Sequence, residues 1–475
     1  MSVSRAIGLL ALLVLSLPAK AFDPLFVGQE TVRGVRGAML PGQMPCSNGA
    51  VPQPLQLQDA IDRSLCGNPK SQEAWANIKV QSAAVGISRA AYLPSISATS
   101  QYVKDNARTD VRDHPELSSN TRSNVASNSI SLSWVLYDFG GRSAALKSAD
   151  ELLAVAEANQ DSVLQTLLST VAQDYYSAQA AEQIVLTAKE IEATATDNVK
   201  AATLRVSKGV APITDELQAR TTLAEDVYEH SKAAGDFQKA LGTLASDMNL
   251  APYASIQLPE AGKGVQLDPT FTTSVVDMIN EAVKVHPDIQ AARAQVEAAQ
   301  AKKDQVASEG MPTFGLTAKY STNDQPASLG LGVPEFPATG RDWYVGAQVS
   351  IPLFEGFGRV YKVHQAQAQI EYQQDTLDER VQKVSLDVWL AYHDLQSASQ
   401  KVKDTDMVAD IALKSYEAAH HRYVSGVGNI LELLNSQTSL ATAKKQQISA
   451  NTDWRIARLQ LAFKLGELGT WWAAR

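Results

Sequence analysis

Little in this sequence is arranged for covalent chemistry. No Ser, His and Asp set and no pair of carboxylates is spaced for nucleophilic or acid–base work, so there is no case for an enzyme and none for a cofactor. His420 and His421 are adjacent and cannot share a helix face around a metal. Gly356-Phe357-Gly358 follows a strand and opens a helix, like a dinucleotide loop. However, Tyr361 stands at the third glycine position and the earlier copy reads Phe139-Gly140-Gly141, so a turn explains both. What does recur is acid shortly after glycine. Asp215 follows Gly209 and Pro212, and Glu432 follows Gly426. Acids at helix starts have a plain reading, because the macrodipole favours them there. Around a narrow low-dielectric mouth the same acids would attract cations and repel anions.

These acids belong to a repeat. An offset of 217 residues carries Arg142 to Arg359, Arg205 to Arg422, Gly209 to Gly426 and Asp215 to Glu432, with no insertion between the copies. Each copy reads as a strand, a glycine turn, a very long helix, a tight break and a returning helix. Ile130, Leu132, Trp134 and Leu136 alternate with serines, and Trp343, Val345, Ala347, Val349 and Ile351 form the matching stripe. The proline-free run 142–208 holds 67 residues, a helix of roughly 100 Å.

The chain divides accordingly. Residues 1–21 read as a secretory signal, with Arg5, an apolar core and an Ala19-Lys20-Ala21 cleavage site. Its removal takes away two positive charges and moves the net charge from −9 to −11, which argues against nucleic acid as a partner. Residues 22–56 form an irregular mature N-terminus. The first repeat is 57–250, with strands at about 95–104 and 128–137, a long helix at 142–208 and a return helix at 212–249. Residues 251–272 link it to the second repeat, 273–468. That repeat has strands at about 313–321 and 343–353, a long helix at 359–425 and a return helix at 429–466. Residues 469–475 are a tail. The polar stretches 105–126 and 322–342 read as outer loops. In an exported chain the only two cysteines, Cys46 and Cys66, point to a disulfide; two buried thiols are the alternative. Closing that loop would stabilise by about 3 kcal/mol.

No stretch is apolar enough for a transmembrane helix after the signal, yet strands of about ten residues cross a bilayer when tilted. Four of them cannot close, and an open sheet in lipid leaves backbone groups unsatisfied. Chains must therefore share a barrel. Two give eight strands and a filled lumen, whereas three give twelve and room for a channel. The fold class is mainly α with a membrane β-barrel part.

Several motifs together resemble the TolC family of outer-membrane channel tunnels. They are Tyr92-Leu93-Pro94, LSWVLYDFGGR from Leu132 to Arg142, RVSKGVAPITDELQAR from Arg205 to Arg220, and RYVSGVGNILELLNSQTSL from Arg422 to Leu440. The resemblance implies a homotrimer in the outer membrane of a Gram-negative bacterium, with a shared twelve-stranded barrel and a helical tunnel across the periplasm. It implies a passive duct that meets a periplasmic adaptor (membrane fusion) protein and an inner-membrane ABC transporter, with outer-membrane lipid around the barrel. Gly209, Pro212 and Gly426 would mark the turns where the adaptor docks. Asp215 and Tyr423 match members of a network that holds the entrance shut, joined by a Tyr–carboxylate hydrogen bond, and Glu432 matches an acidic ring. Two positions depart: Gly428 stands where the network has Arg, and Asn435 where a second acid stands. Substituting Arg for Gly428 would then restore the charged latch. Leu65-Cys66-Gly67-Asn68-Pro69 looks most like type I protein-secretion members. A drug or metal efflux component, served by an RND pump, is the alternative, and a structural periplasmic coiled-coil spacer is a second.

Overall fold

The computed structural model describes residues 23–28, 49–259, 274–325, 336 and 338–466. The signal segment, Cys46 and the tail lie outside these residues. In chain order the elements are α1 (Leu57–Gly67), α2 (Pro69–Ala90), β1 (Ser95–Thr109), β2 (Ser119–Tyr137), α3 (Gly141–Ser207) and α4 (Ile213–Asp247). The second copy supplies α5 (Val275–Val285), α6 (Pro287–Ser308), β3 (Thr313–Asn323), β4 (Gly340–Ser350), α7 (Gly358–Val424) and α8 (Ile430–Leu465). Helices α3 and α7 are 67 residues each. They are uninterrupted because neither contains proline and both are built from Ala, Leu, Gln, Glu and Lys, which lose little on entering a helix.

The chain forms two compact units, one of residues 1–32, 79–153 and 294–374, the other of 33–78, 154–293 and 375–475. The first is organised on a four-stranded antiparallel sheet in the order β1-β2-β3-β4. Directly paired residues share a face. Ile96 opposes Leu132, Ala98 opposes Ile130, Ile130 opposes Tyr320, and Tyr320 opposes Trp343. One face is therefore apolar, and the other carries Ser97, Ser129, Ser131, Thr317 and Gln348; Val103, Val125 and Tyr344 are apolar exceptions there. Ile96 is 69% and Trp343 72% exposed, so among the described residues nothing covers the apolar face at these positions. Among the described residues β1 and β4 are the edges of the sheet.

The first hairpin corrects the sequence reading. Its strands run 15 and 19 residues, far beyond the ten at 95–104 and 128–137. The stretch 105–126 is mostly ladder, with Thr109 still opposite Ser119, so that only 110–118 is loop. Alternation fades past Val103, but an antiparallel ladder propagates through backbone bonds whether or not one face is apolar. Strand β4 is displaced the other way, starting at Gly340 and ending at Ser350 rather than covering 343–353. Pro352, which has no N–H to donate, closes off the pairing.

The second unit contains the cores, and the 217-residue offset maps one on the other. Ile61, Leu167, Val171 and Leu244 pack in the first, while their equivalents Met278, Val384, Val388 and Leu461 pack in the second. In the first core Tyr175 Oη donates to the Leu55 carbonyl at 3.0 Å, and burial pushes its hydroxyl up to about 12. Helix α2 follows α1 after the single residue Asn68 because proline at a first helical position has no orphaned N–H. Cys66, buried near the end of α1, is disulfide-bonded.

Candidate entrance site

Two helical hairpins, α3–α4 and α7–α8, end in tight turns in the second unit. Gly209 (φ +70) and Gly426 (φ +84) take the left-handed conformation that glycine adopts without steric cost. Val210 N–H bonds back to the Arg205 carbonyl at 3.0 Å, and Val427 N–H to the Arg422 carbonyl at 3.1 Å, which satisfies the last carbonyls of each long helix. The restarts differ. Pro212 precedes α4 without a side-chain cap, whereas the Asn429 side chain accepts from Leu431 N–H at 2.8 Å.

The two tips pack together. Ala202 of α3, Ala219 of α4, Tyr423 of α7 and Ile430, Leu433 and Leu434 of α8 form one buried cluster. Tyr423 is fully buried. Arg205 reaches it from the other hairpin: Nη1 donates to the Tyr423 carbonyl at 2.6 Å, and the guanidinium stands 4.6 Å from the ring centre. Burial pushes the Tyr423 hydroxyl up, the nearby Arg205 charge pulls it down, and Asp215 pushes it up further.

This arrangement changes the latch expected from sequence. Tyr423 Oη is buried without a hydrogen-bond partner, so the Tyr–carboxylate bond to Asp215 is not formed. Asp215 sits half-buried in the first turn of α4, its own N–H bonded to the Pro212 carbonyl. Gly428 is not a vacant place for an arginine. A Cβ there would fall 2.7 Å from Tyr423 N and 2.8 Å from the Arg422 carbonyl carbon, both backbone atoms. The close return of the chain requires glycine. Glu432 is exposed and lies 3.6 Å from Arg422 on its own hairpin. Asn435 is exposed on α8.

Behind the turns a polar line joins the hairpins. Asn198 Nδ2 donates to Gln437 Oε1 at 2.6 Å, and Gln437 Nε2 donates to Asp226 Oδ2 at 2.7 Å. Burial raises the Asp226 carboxyl, and the Gln437 bond works against that rise. Further along, Lys444 pairs with Glu190 and Lys445 with Glu229, both at contact distance. Sequence reasoning passed over Arg205, Gln437 and Asp226. Arg205 did carry a signal, being the repeat equivalent of Arg422, but nothing local told that one would cross between hairpins and the other would not. Among the described residues no group of three or more His, Cys, Asp or Glu could hold a metal. No described helix is long and apolar enough to cross a membrane.

Two helical hairpins with repeated glycine turns, and a sheet with one apolar, uncovered face, define a membrane channel subunit whose lipid contact is a β-sheet. The chain belongs to the outer membrane efflux protein family, whose model matches residues 60–249 and 278–467, one span in each repeat. It is similar to protein CyaE of Bordetella pertussis, 30% identical over 87% of this chain and 85% of that one. It is also similar to the alkaline protease secretion protein AprF of Pseudomonas aeruginosa, 24% identical over 87% of this chain and 85% of that one. Among solved structures it shares the fold of VceC from Vibrio cholerae, with a TM-score of 0.72 at 18% identity over 86% of this chain and 96% of that one. The channel CusC matches at 0.74 and 17% identity, over 86% and 92%. The protein is thus an outer-membrane channel component of a tripartite export system, located in the outer membrane and the periplasm.

Proposed function

We propose that three copies of this chain form a passive exit duct for type I secretion of a polypeptide. The observation that carries the assembly is the sheet: among the described residues, four strands with an uncovered apolar face and two free edges. Unpaired edges in lipid cost several kcal/mol per backbone group, and closure with copies removes them. Twelve strands leave an aqueous lumen where eight would fill it. The secretion reading is supported by the relatives, since AprF is named for secretion of an alkaline protease.

In this reading the hairpin tips are the periplasmic entrance. Tyr423 and Arg205 hold the two hairpins of one chain together, Asp215 and Glu432 supply acid at the mouth, and Asn435 leaves the ring with one acid fewer. The turns at Gly209, Pro212 and Gly426 would meet the periplasmic adaptor. Val210, Ile213 and Val427 beside them are exposed apolar groups suited to such a contact. The energy would come from an inner-membrane ABC transporter, and Cys46 would be the disulfide partner of Cys66.

Deleting the gene should abolish release of the protein cargo while leaving sensitivity to small toxic compounds unchanged. The reverse pattern would favour a drug-efflux component. That second reading has a specific support, the 24% identity over 428 residues to the toluene efflux pump protein TtgC of Pseudomonas putida.

A further inference from the structure

The apolar sheet face changes character at its outer end. Chain direction fixes which end that is: β1 leaves helix α2 and runs toward the tip at 110–118, and β4 descends from Gly340 toward helix α7. Two residues beyond Tyr102 on the same face stands Lys104, and two beyond Trp343 stands Arg341. Arg122, opposite Asn106, is on this face as well. Lys104, Arg122 and Arg341 are exposed. Of the carboxylates at the same outer ends, Asp105 and Asp342 fall on the opposite, lumen face; Asp324 accepts from Ala126 N–H at the end of β3, and Asp110 is ion-paired with Arg108 at 3.1 Å. Directly opposite Lys104, Arg122 and Arg341 stand Asn124, Asn106 and Thr322, which donate hydrogen bonds and carry no charge.

The inner end is different. Residues 95–98, 132–137, 313–316 and 346–350 contain no Lys or Arg. Of the arginines just beyond them, Arg142 pairs with Asp138 at 3.2 Å, Arg359 pairs with Glu309 at 2.8 Å, and Arg89 donates to the Leu25 carbonyl at 3.4 Å. A face that only needed anionic phospholipid would be charged at the inner leaflet, where those lipids lie. Cations confined to the outer end match an outer leaflet built of phosphorylated glycolipid.

We propose that Lys104, Arg122 and Arg341 bind the phosphates of lipid A, with Tyr102 and Trp343 at the level where acyl chains meet headgroups. Arginine and lysine recognise phosphate by charge-assisted hydrogen bonds, and rings of this kind prefer the interface. The inference rests on the barrel reading above.

The test uses the purified full-length assembly in detergent, with native mass spectrometry of added bis-phosphorylated lipid A, the same glycolipid after dephosphorylation, and phosphatidylglycerol. The expected order is lipid A tightest by at least about tenfold, with that margin lost in the Lys104→Gln, Arg122→Gln, Arg341→Gln triple variant. A cation near an anionic lipid surface contributes about fivefold each. Equal binding of dephosphorylated lipid A or phosphatidylglycerol, or an unchanged triple variant, overturns the proposal. Should the variant fail to assemble, the wild type decides: lipid A binding must fall steeply as salt screens the contacts, and salt-insensitive binding overturns it. Heat-modifiable gel migration of the wild type reports the barrel separately. Its absence removes the barrel and the site together, whereas its presence with lost lipid preference removes only the site.

Discussion

Removing the Arg205 guanidinium should open the entrance, and removing the Tyr423 hydroxyl should not. Arg205 makes two contacts with the other hairpin: a 2.6 Å hydrogen bond to the Tyr423 carbonyl and a ring contact at 4.6 Å. A hydrogen bond from a charged donor contributes about 1.5–3 kcal/mol. The ring contact adds about 0.5–1 kcal/mol at a partly exposed site. Arg205 is only half-buried, so the lower end applies, about 2 kcal/mol per chain. At 1.4 kcal/mol per decade that is roughly a thirtyfold shift toward separated hairpins. Arg205→Ala should therefore raise resting conductance in planar bilayers, with folding and assembly unchanged by thermal melting. Tyr423→Phe is the control. Its Oη is buried without a partner, so deleting it removes an unpaired polar group and leaves both Arg205 contacts in place. The closed state should hold or tighten. A leaky Tyr423→Phe channel, or an Arg205→Ala channel as tight as wild type, would refute this account and return the latch to a Tyr423–Asp215 bond.

Other consequences follow from the same geometry. Gly428→Ala should loosen the second turn, because its Cβ would meet backbone atoms at 2.7 and 2.8 Å; limited proteolysis near 422–430 should become faster, and Gly428→Arg should be worse rather than restorative. Arg422→Ala should increase cation selectivity in reversal-potential measurements by freeing Glu432, its partner at 3.6 Å, and Glu432→Gln should decrease it. Asp174 is pushed up to about 7, first by burial and then by its bond to Asp247 and the charge there. The folded state then holds a proton that the unfolded chain loses near pH 4, so stability falls as pH rises from about 4 through 7. Asp174→Asn should accordingly raise Tm more at pH 8 than at pH 5; equal gains would mean Asp174 titrates normally. Thiol labelling of unreduced, denatured mature protein should fail at Cys46 and Cys66, and full labelling would exclude their pairing.

The sequence by itself determined the architecture. The 217-residue offset is a property of the string, and it carried over to the packed cores because equivalent positions face equivalent neighbours: Val171 and Val388, Leu244 and Leu461. Helix lengths were legible too, since glycine and proline act within a few residues of where they stand. The reach of the first hairpin was not, because an antiparallel ladder is held by backbone bonds that leave no mark on side-chain alternation. The contacts at the hairpin tips were legible only in part. Asp215, Tyr423 and Glu432 could be located by their spacing from the turns, but which groups touch is decided by two hairpins meeting. Arg205 and Arg422 occupy equivalent positions in sequence, yet one bonds across to Tyr423 and the other stays beside Glu432. Gly428 looked like a missing arginine until the turn showed backbone where a side chain would have to go. Contacts between residues more than 200 positions apart depend on how the helices pack, and local sequence carries no record of that.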